Sequence, residues 1–210
     1  MNFKYSTVIF DLDGTLLDTS EGILEAVKYT INKYNLKALD NDKLLTFIGP
    51  PIQESFSRYY NLDKDKVQEI SNVFRDRYSN FELFKAKPYK GIYEVLRCLL
   101  DNNVCLAVST YKREDYALKL LKYYQFDKYF KVMHGGDNLN KYNKKDIIQH
   151  SINEIGEVNN SKIVYVGDTE SDFNASKELR IDFIGVNYGF GFNNDKEYIN
   201  SPSELISKMR

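Results

Sequence analysis

Short apolar runs alternate with longer helix-spaced patterns along most of this chain. Tyr5 to Phe10, Val104 to Val108, Ile163 to Val166 and Ile181 to Val186 read as strands, and Phe130 to Met133 as a weaker one. The continuous apolar stretches among them, such as Val8 to Phe10 and Ile163 to Val166, predict burial on both faces, as in a parallel sheet layered between helices. Between them, three sets recur at helical spacing: Ile92, Val95, Leu96, Leu99 and Leu100; Ala117, Leu120, Leu121 and Tyr124; Ile147, Ile148, Ile152 and Ile155. The second of these helices is expected to open on Lys112-Arg113-Glu114-Asp115. The alternation predicts a doubly wound, Rossmann-like α/β fold.

From about Thr19 to Ala86 the alternation stops and no strand pattern is present. Ser20 opens a helix with Ile23, Val27, Ile31 and Tyr34 on one face, a second helix follows Pro50-Pro51, and a third carries Val67, Ile70, Phe74 and Tyr78. The pattern predicts a small all-helical domain, residues 19–85, inserted into a core made of residues 1–18 and 86–210. The glycine- and asparagine-rich run from Gly189 to Asn194 predicts a loop.

Composition narrows the class. At 210 residues with 42% hydrophobic content, the chain is able to bury a core without disulfide or metal staples. A net charge of -1 lacks the basic excess of a nucleic-acid binder. Cys98 and Cys105 sit in apolar runs outside any CxxC pair and read as buried thiols of a reducing compartment. Val8-Ile9-Phe10 is too short for a signal-peptide core or a membrane span, so a cytoplasmic location is expected. The 17 tyrosines and 13 phenylalanines are spread along the chain, as core packing requires, and not gathered into a stacking platform.

The chemistry lies in what ends each strand. Phe10 is followed by Asp11-Leu12-Asp13-Gly14-Thr15, Val108 by Ser109-Thr110, and Val166 by Gly167-Asp168-Thr169-Glu170-Ser171-Asp172. In an open parallel sheet the strand carboxyl ends share one edge, where ligands bind. Asp11 and Asp13 repel each other unless a cation lies between them, and Gly14 lets the chain turn immediately afterwards. Asp168 and Asp172, near a helix start, add two more carboxylates to the edge. The set predicts a hard-cation site, and magnesium suits few carboxylates plus substrate phosphate oxygens.

A phosphate near so many carboxylates needs neutral and positive donors. Thr110 offers a hydroxyl and, at an expected helix start, a backbone N–H. Lys144 and Lys145 open the helix of Ile147 and Ile148, where a lysine opposes the helix dipole. Either one of the two serves the phosphate, or both are solvated surface lysines. His134 and His150 read as structural or surface residues, and Arg58, Arg75 and Arg77 as an exposed helix face.

Taken together, Asp11-Leu12-Asp13-Gly14-Thr15, Thr110, a lysine at a later helix start and Gly167-Asp168-Thr169…Asp172 resemble the four motifs of the haloacid dehalogenase superfamily. The order fits from residue 5 to about residue 190, and the helical insert resembles that superfamily's small cap. Phe47-Ile48-Gly49-Pro50-Pro51 and Tyr188-Gly189-Phe190-Gly191 are similar to segments of its phosphoglycolate phosphatase-like members. The resemblance implies a nucleophilic Asp11 that forms an aspartyl-phosphate, and an Asp13 that acts as general acid and then base. It implies Mg2+ held by Asp11, Asp13 (through its carbonyl), Asp168 and Asp172, and phosphoryl oxygens bound by Thr110, Lys144 and Gly14. Tyr111 and the residue after Lys144 depart from the pattern, where Asn or Ser and Pro respectively are frequent.

The implied activity is hydrolysis of a small phosphomonoester by a monomer or homodimer, with no nucleic-acid or membrane partner. A 5′-nucleotidase or a pyrophosphatase is the neighbouring alternative and a phosphosugar mutase a more distant one. A non-enzymatic alternative is a receiver-like or metal-binding module. A receiver carries its phosphoacceptor on a later strand, whereas the acids near the middle strand here are Glu114 and Asp115, inside the expected helix.

Overall fold

The computed structural model describes residues 3–138, 141–156, 159–192 and 197–210. Asn193 and Asn194 of the expected loop lie outside them. In chain order the elements are β1 (Thr7–Phe10), β2 (Leu17–Asp18), α1 (Ser20–Lys33), α2 (Asn41–Leu45), α3 (Ile52–Tyr59), α4 (Lys64–Arg77) and β3 (Lys87–Pro88). There follow α5 (Ile92–Asp101), β4 (Cys105–Arg113), α6 (Glu114–Tyr123), β5 (Val132–Gly136), α7 (Lys144–Ile155), β6 (Ile163–Gly167), α8 (Glu170–Leu179), β7 (Asp182–Gly185) and α9 (Leu205–Lys208). Contacts divide the chain into two compact units: Met1–Asp18 with Pro88–Arg210, and Thr19–Lys87. Among the described residues no helix is long and apolar enough to cross a membrane.

In the first unit five strands form a parallel sheet of order β5-β4-β1-β6-β7. The chain steps outward from β1 to β5, then returns to the other side of β1, so the order reverses beside the central strand. Such a switch point is where α/β sheets bind ligands. Ile9, Ala107, Ile148, Ile152, Tyr165 and Leu179 are buried together in one apolar layer formed by the sheet with α7 and α8. Thr7 to Phe10 is buried throughout, as expected of a strand covered on both faces.

β4 departs from the sequence reading. It continues through Thr110, Tyr111 and Lys112 to Arg113, so Thr110 lies in a strand and not at a helix start, and α6 opens at Glu114. The cause lies across the sheet. β5 pairs out to Arg113↔Gly136, with a register irregularity between Ser109 and Arg113. A Cβ on Gly135 would fall 2.5 Å from the Glu114 Cα, and one on Gly136 would fall 2.6 Å from the Tyr111 carbonyl oxygen. Only glycine allows this approach.

The second unit is helical across α1 to α4 and a π-helical turn, Tyr78–Glu82. Ile23, Val27, Ile31, Val67, Ile70 and Phe74 are buried at the helical spacing seen in the sequence. Phe47 meets the Phe56 ring edge-on at 5.2 Å. Arg75 is buried rather than on an exposed face. Arg77 is partly covered and ion-pairs with the fully buried Glu82, which also meets Lys85 at 2.7 Å. Arg75 and Arg77 thus serve the unit's interior, whereas Arg58 is exposed.

α7 is the helix that presents the two lysines. Asn143 caps it by accepting from the Asp146 N–H at 3.0 Å, while Asp146 accepts from the Asn143 N–H at 3.0 Å. This reciprocal box satisfies two helix-end donors. Replacing Asn143 with Ala is expected to lower stability by about 1 kcal/mol. A shift of the denaturant midpoint at unchanged slope checks it; an unmoved midpoint would dismiss the cap as a contributor.

Candidate active site

Register delivers the first residues to one place. Phe10 is level with Val108 on one side and Val166 on the other, so Asp11 leaves β1 beside Ser109 and Gly167. The Asp11 N–H still donates to the Val166 carbonyl at 2.9 Å, extending the ladder by one residue. Asp11, Asp13, Thr110, Lys144, Asp168 and Asp172 are all buried.

Three of these carboxylates converge. Asp11, Asp168 and Asp172 offer oxygens that all lie within 4.8 Å of one another. Lys144 Nζ stands 2.8 Å from Asp11 Oδ1 and 2.9 Å from Asp172 Oδ1. Its ammonium also lies 5.5 Å from the ring centres of both Tyr111 and Tyr165. A lysine at the first position of a helix is unfavourable to the dipole, and the two buried carboxylates are the reason for it here. Lys145 points elsewhere. It is exposed and meets Glu178 on α8 at 3.2 Å.

Each carboxylate is aimed by backbone. Asp172 is the third residue of α8, and its Oδ2 accepts from the N–H and hydroxyl of the cap residue Thr169 at 3.1 and 2.7 Å. Asp168 Oδ2 accepts from the Phe190 and Gly191 N–H groups at 2.7 and 3.3 Å. Asp168 Oδ1 is buried with no hydrogen-bond partner among the described residues. Gly14 has φ +77°, and a Cβ there would fall 2.2 Å from Asp168 Oδ2. No side chain fits between the two loops.

Three carboxylates against one ammonium leave an excess of negative charge in a dry place. Burial pushes Asp11 up to about 6, with Asp172 and Asp13 adding repulsion and Lys144 opposing it. Burial raises Asp168 well above the usual carboxylate range, and its neighbours Asp172 and Asp11 raise it further. Burial alone would lower Lys144, but Asp11 and Asp172 outweigh it and hold the ammonium charged.

Asp13 stands apart from that trio. Its Oδ2 lies 3.0 Å from the Nζ of Lys112, and both side chains are almost wholly buried. The Lys112 N–H donates to Thr110 Oγ1 at 3.2 Å. Lys112 was assigned by periodicity to the start of a helix and so escaped the sequence reading. The signal that would have found it is the glycine pair Gly135-Gly136, which lets β4 run on past its apolar stretch as far as Arg113. Tyr165 also went unnoticed as anything but core. Its hydroxyl donates to the Ser109 carbonyl at 2.5 Å, below the Lys144 ammonium. A cleft of about 490 Å³ opens between α7 and α8, lined by Tyr111, Asn143, Lys144, Lys145, Glu170 and Asn174 among others, and of the buried cluster only Lys144 reaches it.

Other residues singled out in the sequence lie away from the cluster. His134 bonds Glu154 at 2.7 Å, and His150 packs against the Tyr142 ring at 4.9 Å. Cys98 and Cys105 are free thiols, half-buried rather than fully buried.

Residues 8–186 match a family model described as haloacid dehalogenase-like hydrolase. A 5′-nucleotidase of Pseudomonas aeruginosa is 30% identical over 189 residues, which cover 90% of this chain and 85% of that protein. A phosphoglycolate phosphatase of Agrobacterium fabrum is 30% identical over 191 residues, covering 87% and 80%. The crystal structure of a predicted phosphatase from Clostridium acetobutylicum has a TM-score of 0.90 at 32% identity, over 97% of each chain. The matched span contains every strand end that brings a carboxylate, hydroxyl or lysine to this edge of the sheet, and the chain belongs to the haloacid dehalogenase-like hydrolase family.

Proposed function

We propose that this protein is a phosphatase that hydrolyses a small phosphomonoester through an aspartyl-phosphate on Asp11, with Mg2+ as cofactor. The observation that carries the reading is the buried convergence of Asp11, Asp168 and Asp172, two of them paired with Lys144, at the switch point of the sheet. The donor set is all oxygen, the charge excess is negative, and Asp168 Oδ1 is buried without a partner among the described residues. These features fit a hard divalent cation. Asp11 and Asp168 would hold it with Asp172 in support, whereas the Asp13 carboxylate, paired with Lys112, stands outside that set. When bound, the ion neutralises phosphoryl charge and draws the reactants together.

The chain's own residues supply the steps. An Asp11 oxygen attacks phosphorus, the bond to the leaving oxygen breaks, and Asp13 gives that oxygen its proton. Water then attacks the aspartyl-phosphate, Asp13 takes a proton from it, and the Asp11–phosphorus bond breaks. Lys144 keeps Asp11 in place by Oδ1, and Thr110, Gly14 and Lys144 would receive the phosphoryl oxygens. The phosphoglycolate phosphatase relative supports a small anionic phosphomonoester as substrate. The nucleotidase relative makes a nucleoside 5′-monophosphate the second reading, and a panel of both decides between them.

Activity on p-nitrophenyl phosphate is expected to require Mg2+ and to vanish with EDTA. Asp11→Asn should lower kcat by about four orders of magnitude or more, and unchanged turnover would remove Asp11 as nucleophile. Lys144→Ala should be nearly inactive while Lys145→Ala stays within about twofold of the parent; the reverse ranking would transfer the role to Lys145.

The carboxylates also predict a pH signature without turnover. The folded pKa of Asp11 is raised to about 6, so the folded state holds protons more tightly than the unfolded chain, whose Asp titrates near about 4. Stability of the metal-free protein should therefore fall as pH rises from about 4 to about 6. Added Mg2+ should raise Tm more at neutral pH than at acid pH, because protons compete for its ligands. Asp168→Asn should flatten the decline and abolish the Mg2+ shift. A Tm indifferent to Mg2+ at neutral pH would reject the cation site.

A further inference from the structure

The four acidic side chains at this edge are divided between two buried lysines. Lys144 pairs with Asp11 and Asp172 of the trio that Asp168 completes, and Lys112 pairs with Asp13. We propose that Lys112 is a positioning residue for Asp13: its ammonium, 3.0 Å from Asp13 Oδ2, fixes the carboxyl that exchanges a proton with the leaving group. This rests on the phosphatase reading above and adds to it a residue outside the motifs from which that reading came.

Lys112 is not an incidental surface lysine. Its side chain is 5% exposed and that of Asp13 is 6%. Burying two charges has a large desolvation cost that only close pairing offsets, so the pair is held in register and not left to fluctuate. The strand supplies the rigidity. β4 is extended to Arg113 by its pairing with Gly136, and the Lys112 N–H bonds Thr110 Oγ1. A site mounted on a strand is held more closely than one on a loop.

The chemistry follows from which oxygen is used. Lys112 donates to Oδ2, and in this proposal the proton passed to the leaving oxygen is assigned to Oδ1. In the first step the Oδ1–H bond breaks as the leaving oxygen gains the proton and its bond to phosphorus breaks. In the second, Oδ1 regains a proton from the attacking water. Lys112 itself keeps all its protons and touches neither reacting atom. A carboxyl free to rotate about its Cβ–Cγ bond would lose the alignment that proton transfer requires.

General-acid catalysis matters in proportion to how poor the leaving group is, which gives the role a signature. The test compares the parent with Lys112→Met on dinitrophenyl, p-nitrophenyl, phenyl and simple alkyl phosphates with Mg2+ present. Lys112→Met should lose little on dinitrophenyl phosphate and about a hundredfold on alkyl phosphates. Asp13→Asn should show the same graded pattern, and the double variant should lose little beyond Asp13→Asn, as expected of residues acting as one unit. Lys112→Gln, which keeps an N–H donor, should lie between parent and Lys112→Met, and it carries the test if the methionine variant does not fold.

A loss equal across all leaving groups would overturn the proposal and make Lys112 a phosphoryl ligand. No loss on any substrate would overturn it as well. If the parent hydrolyses none of these esters, the phosphatase reading itself fails, an outcome distinct from an active parent with an ungraded variant.

Discussion

Everything at this edge of the sheet depends on placing three carboxylates in a space too dry to tolerate them. Asp11, Asp168 and Asp172 lie within 4.8 Å of one another, and a single ammonium, that of Lys144, stands among them. Water would screen such a cluster; the interior does not. The surrounding structure therefore has to hold each group against its own repulsion. The ladder extended to Asp11, the cap of α8 and the two N–H groups at Phe190 and Gly191 do so. The arrangement is stable as a protein and unsatisfied as an electrostatic object, which is the condition a cation-binding centre needs.

The parallel topology makes this economical in residues. β1 and β6 end at neighbouring positions, level with the middle of β4, so segments distant in sequence meet at one edge. Lys144 reaches the cluster because α7 begins on a reciprocal cap directly before it. The helix dipole disfavours a cation there, and the compensation comes from Asp11 and Asp172 across the sheet edge.

Much of this was legible in the sequence because strand ends carry their chemistry in the next few residues. Asp11, Asp13, Gly14, Asp168 and Asp172 follow apolar runs short enough to be strands, and topology alone brings such ends together. Lys112 was not legible in the same way. Its placement depends on β4 continuing past its apolar stretch, and that continuation is set by Gly135 and Gly136 on a different strand. The choice between Lys144 and Lys145 was closed to periodicity for a similar reason, since adjacent helical positions differ by a rotation that only the partner across the edge reveals. Arg75 was misplaced because the polarity of its side chain outweighed its position, which continues the buried face of α4 set by Val67, Ile70, Ser71 and Phe74.

Asp172 belongs to two structures at once. One oxygen completes the first turn of α8 through Thr169, and the other stands 2.9 Å from the Lys144 ammonium. Local helix formation and the charge balance of the centre thus share one side chain. A glutamate could still close the cap but would carry its carboxylate further out than Lys144 and the trio require, and a serine would shorten the reach and drop the charge. The position is restricted twice over, by chain geometry and by chemistry, so drift at residue 172 is checked by folding before activity is ever tested.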